Sequence, residues 1–204
     1  MENAERTVSE SGERLCAALM VGGKSRRMGR DKALLEIDGI PMFERVLKVL
    51  RQNSPLVFLV GDEPQRFANV PEKIVPDLFP GSALGGIYTA LSYSRADYVF
   101  VAACDLPFAS AEIMSLLFSL RKGYDVVVPC GLTGLEPLFA VYSKTCLKPF
   151  RQALESGRLR IIDAWEGLCV REVGVKELAS VAALNKAFLN VNSVIDLEKI
   201  TGLT

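Results

Sequence analysis

Histidine is absent from all 204 residues, which removes the most common general base and the most common transition-metal ligand. Ser-His-Asp triads, Cys-His pairs and His-ligated zinc are excluded with it. The five cysteines, Cys16, Cys104, Cys130, Cys146 and Cys169, are odd in number and never stand in a C-x-x-C spacing, which argues against a disulfide framework and against a zinc site. They read as reduced, mostly buried thiols. No apolar run approaches the roughly 18 residues that span a bilayer, and the polar start over residues 1–13 lacks a hydrophobic signal region. A membrane role is therefore not expected, and a cytoplasmic location is. Net charge is missing too: 24 basic and 24 acidic residues cancel, so no overall field recruits nucleic acid or an anionic surface. What remains is chemistry on carboxylates, lysine, arginine, backbone amides and a hard metal ion, with a small-molecule partner.

With hydrophobic residues at 50%, the chain can bury one sizeable core but is short for two. Residues 1–13 are polar without an apolar period and read as a loose tail, leaving 14–204 as a single domain. Residues 15–21 are an uninterrupted apolar run that stops at Gly22 and Gly23, the mark of a strand buried on both faces. Short apolar runs at 56–60 and 98–103 repeat that pattern, and 73–76, 125–129 and 138–142 add strand-like segments, the last open to an antiparallel setting. Between them Phe43, Val46, Leu47 and Leu50 recur at helical spacing over 42–51. Further helices are expected over 87–94, after an N-cap at Ser110, and over 144–155. A closing strand at 188–192 and helix at 194–200 complete the alternation. Such alternation implies an α/β fold: a Rossmann-like, doubly wound, mainly parallel sheet with helices on both faces.

In such sheets ligands bind beyond the carboxyl ends of the strands, near the switch point of strand order. Three strand ends carry unusual residues. The first is the loop 22–32, with Gly22, Gly23 and Gly29 and the cations Lys24, Arg26, Arg27, Arg30 and Lys32; it can wrap a triphosphate. It is neither a Walker A loop nor a G-x-G-x-x-G fingerprint, and a solvated turn would look similar. The second is Cys104-Asp105-Leu106-Pro107. A carboxylate directly after a buried strand is well placed to hold Mg²⁺, which takes oxygen ligands and shares its sphere with water and substrate phosphates; a simple turn aspartate before proline is the alternative. The third is Asp77 with the glycine-rich loop Gly81-Ser82-Ala83-Leu84-Gly85-Gly86, which can face a base or ribose or can be an ordinary turn. Arg158 and Arg160 are either phosphate contacts or solvated cations. Trp165 either stacks on a ligand or fills the core.

In their order these motifs resemble those of the molybdenum cofactor guanylyltransferases, over about residues 15–197. The family pattern L-x-G-G-x-x-R-R-M-G-x-D-K is matched from Met20 to Lys32, C-D-x-P by Cys104 to Pro107, E-P-L by Glu136, Pro137 and Leu138, and N-x-N by Asn190, Val191 and Asn192. The resemblance implies a nucleotide-diphospho-sugar transferase-like fold, GTP and molybdopterin as substrates, Mg²⁺ as cofactor, and transient contact with a molybdoenzyme or insertion chaperone. It implies that Met20, Val21, Gly22, Gly23, Lys32, Gly61 and Asp77 meet GTP, that Asp105 holds the metal and that Arg27 presses on the phosphates. Glu136, Pro137, Asn190 and Asn192 would lie toward the pterin. Two departures stand out: Gly61 where the family commonly has asparagine, and the loop 81–86, one residue longer than the family's G-P-L-x-G and without its proline. Rival readings are a molybdopterin cytidylyltransferase, a sugar-phosphate nucleotidyltransferase and a non-catalytic nucleotide-binding or adaptor domain.

Overall fold

The computed structural model describes residues 15–22, 32–182, 187–189 and 191. The N-terminal tail, Gly23, Arg27, Asn190, Asn192, the helix expected over 194–200 and the side chain of Lys32 lie outside the described residues.

Strand β1 is Leu15–Met20. Cys16, Ala18 and Met20 point into one core, and Ala17, Leu19 and Val21 into another on the opposite face of the sheet. This two-sided burial is why the sequence shows a solid apolar run instead of alternation. The chain returns from the loop through a 3-10 turn at Lys32–Leu34, then forms a hairpin of β2 (Glu36–Ile37) and β3 (Ile40–Pro41). Asp38 and Gly39 close that hairpin with φ of 52° and 73°, the left-handed backbone that an Asp-Gly turn accepts. Helix α1 (Met42–Asn53) buries Met42, Phe43, Val46, Leu47 and Leu50. Strand β4 (Val57–Val60) and the short β5 (Ile74–Val75) follow.

Helix α2 is Ala83–Tyr93, capped by the Ser82 hydroxyl, which accepts the Gly85 N–H. It starts four residues before the expected position, so Gly85 and Gly86 belong to a helix and not to a loop. Strand β6 (Tyr98–Ala103) matches its expected bounds, and helix α3 (Ala111–Ser119) is capped by Ser110 as expected. Strand β7 (Val126–Gly131) turns through β8 (Gly134–Leu135) into β9 (Phe139–Ser143). A 3-10 turn at Lys144–Cys146 leads into α4 (Leu147–Glu155). Strand β10 (Val170–Val173) and helix α5 (Val175–Ala179) were not expected.

Among the described residues the sheet runs β10-β7-β9-β6-β1-β4-β5, with β8 beside β7. Strand β1 is parallel to β4 and β6, β4 to β5, and β7 to β10. Strand β9 is antiparallel to both β6 and β7. Helices α2 and α4 cover one face with Leu84, Ile87, Leu91, Phe150 and Ala153. Helices α1 and α3 cover the other with Val46, Leu47, Leu50, Ile113 and Leu117. The α/β fold class expected from the sequence is the one observed.

The strand expected from Phe188 is not seen where it is described: Phe188 lies in a turn, and Leu189 and Val191 lie outside regular structure. The side chains of Phe188 and Val191 act as plugs, whereas Leu189 is exposed. The Phe188 ring presses on Gly131, where a Cβ would come within 2.9 Å of it, and Val191 is fully buried beside Ile37 and Met42. None of the five cysteines is joined in a disulfide among the described residues. Cys16 and Cys146 are buried, which pushes their pKa up to about 11 and about 12 and leaves them unreactive, whereas Cys169 is exposed.

Candidate active site

The order of the sheet reverses direction at β1, whose neighbours are β4 on one side and β6 on the other, and a cleft opens beyond the carboxyl ends of those strands. Backbone hydrogen bonds fix its floor. Val21 N–H donates to the Val60 carbonyl at 2.9 Å, Cys104 N–H to the Met20 carbonyl at 3.2 Å, and Gly61 N–H to the Val75 carbonyl at 3.0 Å. Met20, Val21, Gly22, Ala33, Val60, Asp62, Arg66, Asp77, Gly81, Ser82, Cys104 and Asp105 are among the residues that line it, around a volume of about 380 Å³, within the usual range of small-molecule sites.

Five of the expected site residues, Met20, Val21, Gly22, Asp77 and Asp105, therefore share one cleft. Gly61 sits between two lining residues, Val60 and Asp62. The cationic segment 23–31 lies outside the described residues, but the described positions that flank it do not: Gly22 before it and Ala33 after it both line this cleft, with Asp105.

Asp77 is held in place. Its Oδ1 accepts the Phe79 N–H at 3.0 Å and the hydroxyl of buried Thr89 at 2.8 Å, and its own N–H donates to Asp62 Oδ1 at 3.1 Å. Helix α2 starts beside it because two glycines permit the approach. A Cβ on Gly85 would meet the Phe79 carbonyl oxygen at 2.0 Å, and one on Gly86 would meet Met20 Sδ at 2.9 Å.

The antiparallel strand β9 delivers the third motif to Asp105. Ala103 N–H donates to the Leu138 carbonyl at 2.8 Å, Glu136 N–H to the Pro129 carbonyl at 3.0 Å, and the Tyr142 hydroxyl to the Pro137 carbonyl at 2.6 Å. Glu136 is thereby set at the tip of β6. Its carboxyl pKa is raised, first by burial and then by the negative charge of Asp105, against a hydrogen bond with Thr133 that favours ionisation. The fourth motif arrives through its central residue: Val191 N–H donates to the Asp105 carbonyl at 3.1 Å. Asn190 and Asn192 themselves lie outside the described residues.

Arg158 and Arg160 form exposed pairs with Glu166 and Asp163, each at 3.6 Å, and do not line the cleft. Trp165 is buried in the core beside α4. Ser82, from the glycine-rich loop singled out in the sequence, lines the cleft, and Asp62 and Arg66 line it without having been singled out. The available signal for Asp62 was its place directly after the β4 run, the same position that marked Asp105 after β6.

Among the described lining residues the charged groups are three carboxylates, Asp62, Asp77 and Asp105, and one guanidinium, Arg66. Such a surface repels a polyphosphate unless further cations intervene. No group of three or more His, Cys, Asp or Glu side chains able to hold a metal ion occurs among the described residues. The pair Asp105 and Glu136 instead offers oxygen donors of the kind Mg²⁺ takes while phosphates and water complete its sphere.

Residues 17–169 match the model of the MobA-like NTP transferase domain. A relative from Pelotomaculum thermopropionicum named "probable molybdenum cofactor guanylyltransferase" is 37% identical, over 89% of this chain and 89% of its own length. The molybdenum cofactor guanylyltransferase of Desulfosudis oleivorans is 34% identical, over 89% of this chain and 91% of its own. Among solved structures, molybdopterin-guanine dinucleotide biosynthesis protein A from Archaeoglobus fulgidus superposes with a TM-score of 0.78 at 26% identity, covering 92% of this chain and 99% of that one. With the family model spanning most of its length and its strand ends gathered into one cleft, the chain belongs to the MobA-like NTP transferase domain family.

Proposed function

We propose that this enzyme transfers GMP from GTP to the terminal phosphate of molybdopterin, releasing pyrophosphate. The observation that carries the reading is the shared cleft of Gly22, Ala33 and Asp105, in a chain 37% identical to a relative named for that activity. A phosphate oxygen of the acceptor attacks the α-phosphorus in line, a new P–O bond forms, the bond to the β-phosphate oxygen breaks, and pyrophosphate leaves with its electron pair. The nucleophile is already ionised at neutral pH, so no general base is needed. A chain without histidine is adequate for that chemistry.

Catalysis then rests on position and charge. The Met20 to Gly22 segment and the N-terminal end of α2 hold the nucleotide, and Asp77 contacts the nucleoside. Arg27 and Lys32 neutralise the departing phosphates, and Gly23 contacts the nucleotide. Glu136, Pro137, Asn190 and Asn192 face the pterin. The donor set fits Mg²⁺: Asp105 would hold it, with Glu136 beside it. When bound it supplies positive charge to phosphate oxygens that the acidic lining would otherwise repel.

We also infer a cytoplasmic enzyme that meets a molybdoenzyme or insertion chaperone transiently to pass on its product; no helix among the described residues is long and apolar enough to cross a membrane. The test is pyrophosphate release from GTP, CTP, ATP and UTP with molybdopterin and Mg²⁺. Release should be fastest with GTP. Faster release with CTP would replace this reading with a cytidylyltransferase, and none with any nucleotide would leave only a binding domain.

A further inference from the structure

Base selection cannot come from a side chain at position 61. Val21, the residue after β1, is 4% exposed, and its Cγ2 lies 2.9 Å from where a Cβ on Gly61 would stand, with Gly22 N at 3.2 Å and the Val21 carbonyl carbon at 3.3 Å. Two of those three obstacles are backbone, so β1 and the end of β4 would have to shift apart to admit a side chain there. The next residue, Asp62, lines the cleft. It is exposed, yet its carboxylate is oriented: Oδ1 accepts the Asp77 N–H, and Asp77 is itself fixed by the buried Thr89 hydroxyl. A neutral amide orders this carboxylate without neutralising it. Arg66 reaches the same cleft from the 3-10 turn Pro64–Phe67, its guanidinium 5.3 Å from the centre of the Phe67 ring and 3.4 Å from the Glu63 carboxylate.

We propose that Asp62 reads the nucleobase, accepting the two adjacent donors N1–H and N2–H of guanine, with the Arg66 guanidinium on the O6 side. This assignment rests on the guanylyl reading above and deepens it. A carboxylate offers acceptors only, and a guanidinium donors only. Guanine presents two donors next to an acceptor, so it satisfies both. Cytosine presents two acceptors beside its amino group, and uracil flanks one donor with two acceptors; each would set a carbonyl oxygen against the carboxylate. Adenine presents a single amino donor beside an acceptor nitrogen. A wrong base both loses the hydrogen bonds that guanine makes and sets an acceptor atom against the Asp62 carboxylate, so the pair selects by repulsion as well as by attraction.

The test compares GTP with inosine triphosphate, which lacks only the 2-amino group. Dissociation constants are measured with Mg²⁺, and pyrophosphate release with molybdopterin, for the wild-type chain, Asp62→Ala and Asp62→Asn. The wild-type chain should prefer GTP over inosine triphosphate by about 10- to 100-fold, the usual value of a hydrogen bond to a charged group. Asp62→Ala should weaken GTP, which loses both contacts, more than inosine triphosphate, which loses only the one at N1–H, and so bring the ratio close to one. Asp62→Asn keeps an oxygen for the Asp77 N–H and is the check if the alanine variant melts early; it should lower the ratio as well. A GTP to inosine triphosphate ratio that stays at its wild-type value in both variants would overturn the role of Asp62 while the guanylyl reading stands. A wild-type preference for CTP over GTP would overturn both.

Discussion

Asp105 and Glu136 are the residues on which the proposed chemistry turns, and their mutual repulsion makes them measurable. The Glu136 carboxyl holds its proton more tightly in the folded chain than in the unfolded one, because of burial and the charge of Asp105. The folded state therefore binds more protons than the unfolded state at pH values above the ordinary glutamate range, and this group's contribution to stability falls as pH rises through the raised value. Above that raised value the ionised Glu136 is a net cost. Glu136→Gln should accordingly raise the melting temperature at pH 7 and leave it nearly unchanged at about pH 3, below the ordinary glutamate range, where the native side chain is protonated in both states. An equal gain at both pH values would show that packing, not charge, is responsible. In an Asp105→Asn background the gain at pH 7 should shrink, since a repulsive partner has been removed and the two changes are coupled. Asp105→Asn alone should keep the fold and lower turnover by about 100-fold or more. At this scale the sequence was informative for Asp105, which ends a buried strand, but not for its closeness to Glu136. That contact depends on β9 running antiparallel beside β6, a pairing between residues more than thirty positions apart.

At the scale of elements, helix α2 is where the local pattern misled. Gly81, Gly85 and Gly86 read as a loop because glycine is unfavourable inside helices, but only Gly81, with φ of 99°, is in a turn conformation. Gly85 and Gly86 are helical and small because the helix packs against the Phe79 backbone and the Met20 sulfur, contacts that no local window contains. Gly85→Ala should cost about 2–3 kcal/mol, the upper part of the range for overpacking, since its Cβ meets backbone and not a movable side chain; a drop in melting temperature of roughly 5–10 °C would report it. Ser82→Ala, which removes only the N-cap, should cost about 1 kcal/mol. Equal losses would mean that the helix start, not the close approach, is the weak point. The strands β1, β4 and β6 were legible because burial on both faces makes them apolar throughout. Strand β10 was not: of Val170, Arg171, Glu172 and Val173 only the last is buried, and an edge strand with two charged residues resembles a loop. The hairpin of β2 and β3 was missed despite its Asp-Gly turn because each strand is two residues long.

At the scale of the whole molecule, strand order decides what can meet. With β4 and β6 flanking β1, the segments after all three strands must end on one edge of the sheet, so Gly22, Asp62 and Asp105 share a cleft although they are far apart in sequence. The alternation of apolar runs and helical spacings was enough to expect that convergence, whereas the wall formed by Arg66 and Asp62 required knowing where the β4 to β5 connection travels. A site assembled from so many strand ends links ligand binding to global stability: a nucleotide that binds across β1, β4, β6 and α2 binds only the folded chain. At a free concentration of 100 times its dissociation constant it should add about 2.7 kcal/mol, a rise of roughly 5–10 °C in melting temperature for a chain of this length. GTP with Mg²⁺ should produce that rise and CTP with Mg²⁺ at the same concentration a smaller one. Removing the metal with a chelator should shrink the GTP shift, because the acidic lining then meets the triphosphate directly. If the shift is unaffected by the chelator, the cations of the loop alone offset the carboxylates, and Asp105 would have to act on the nucleotide without a metal.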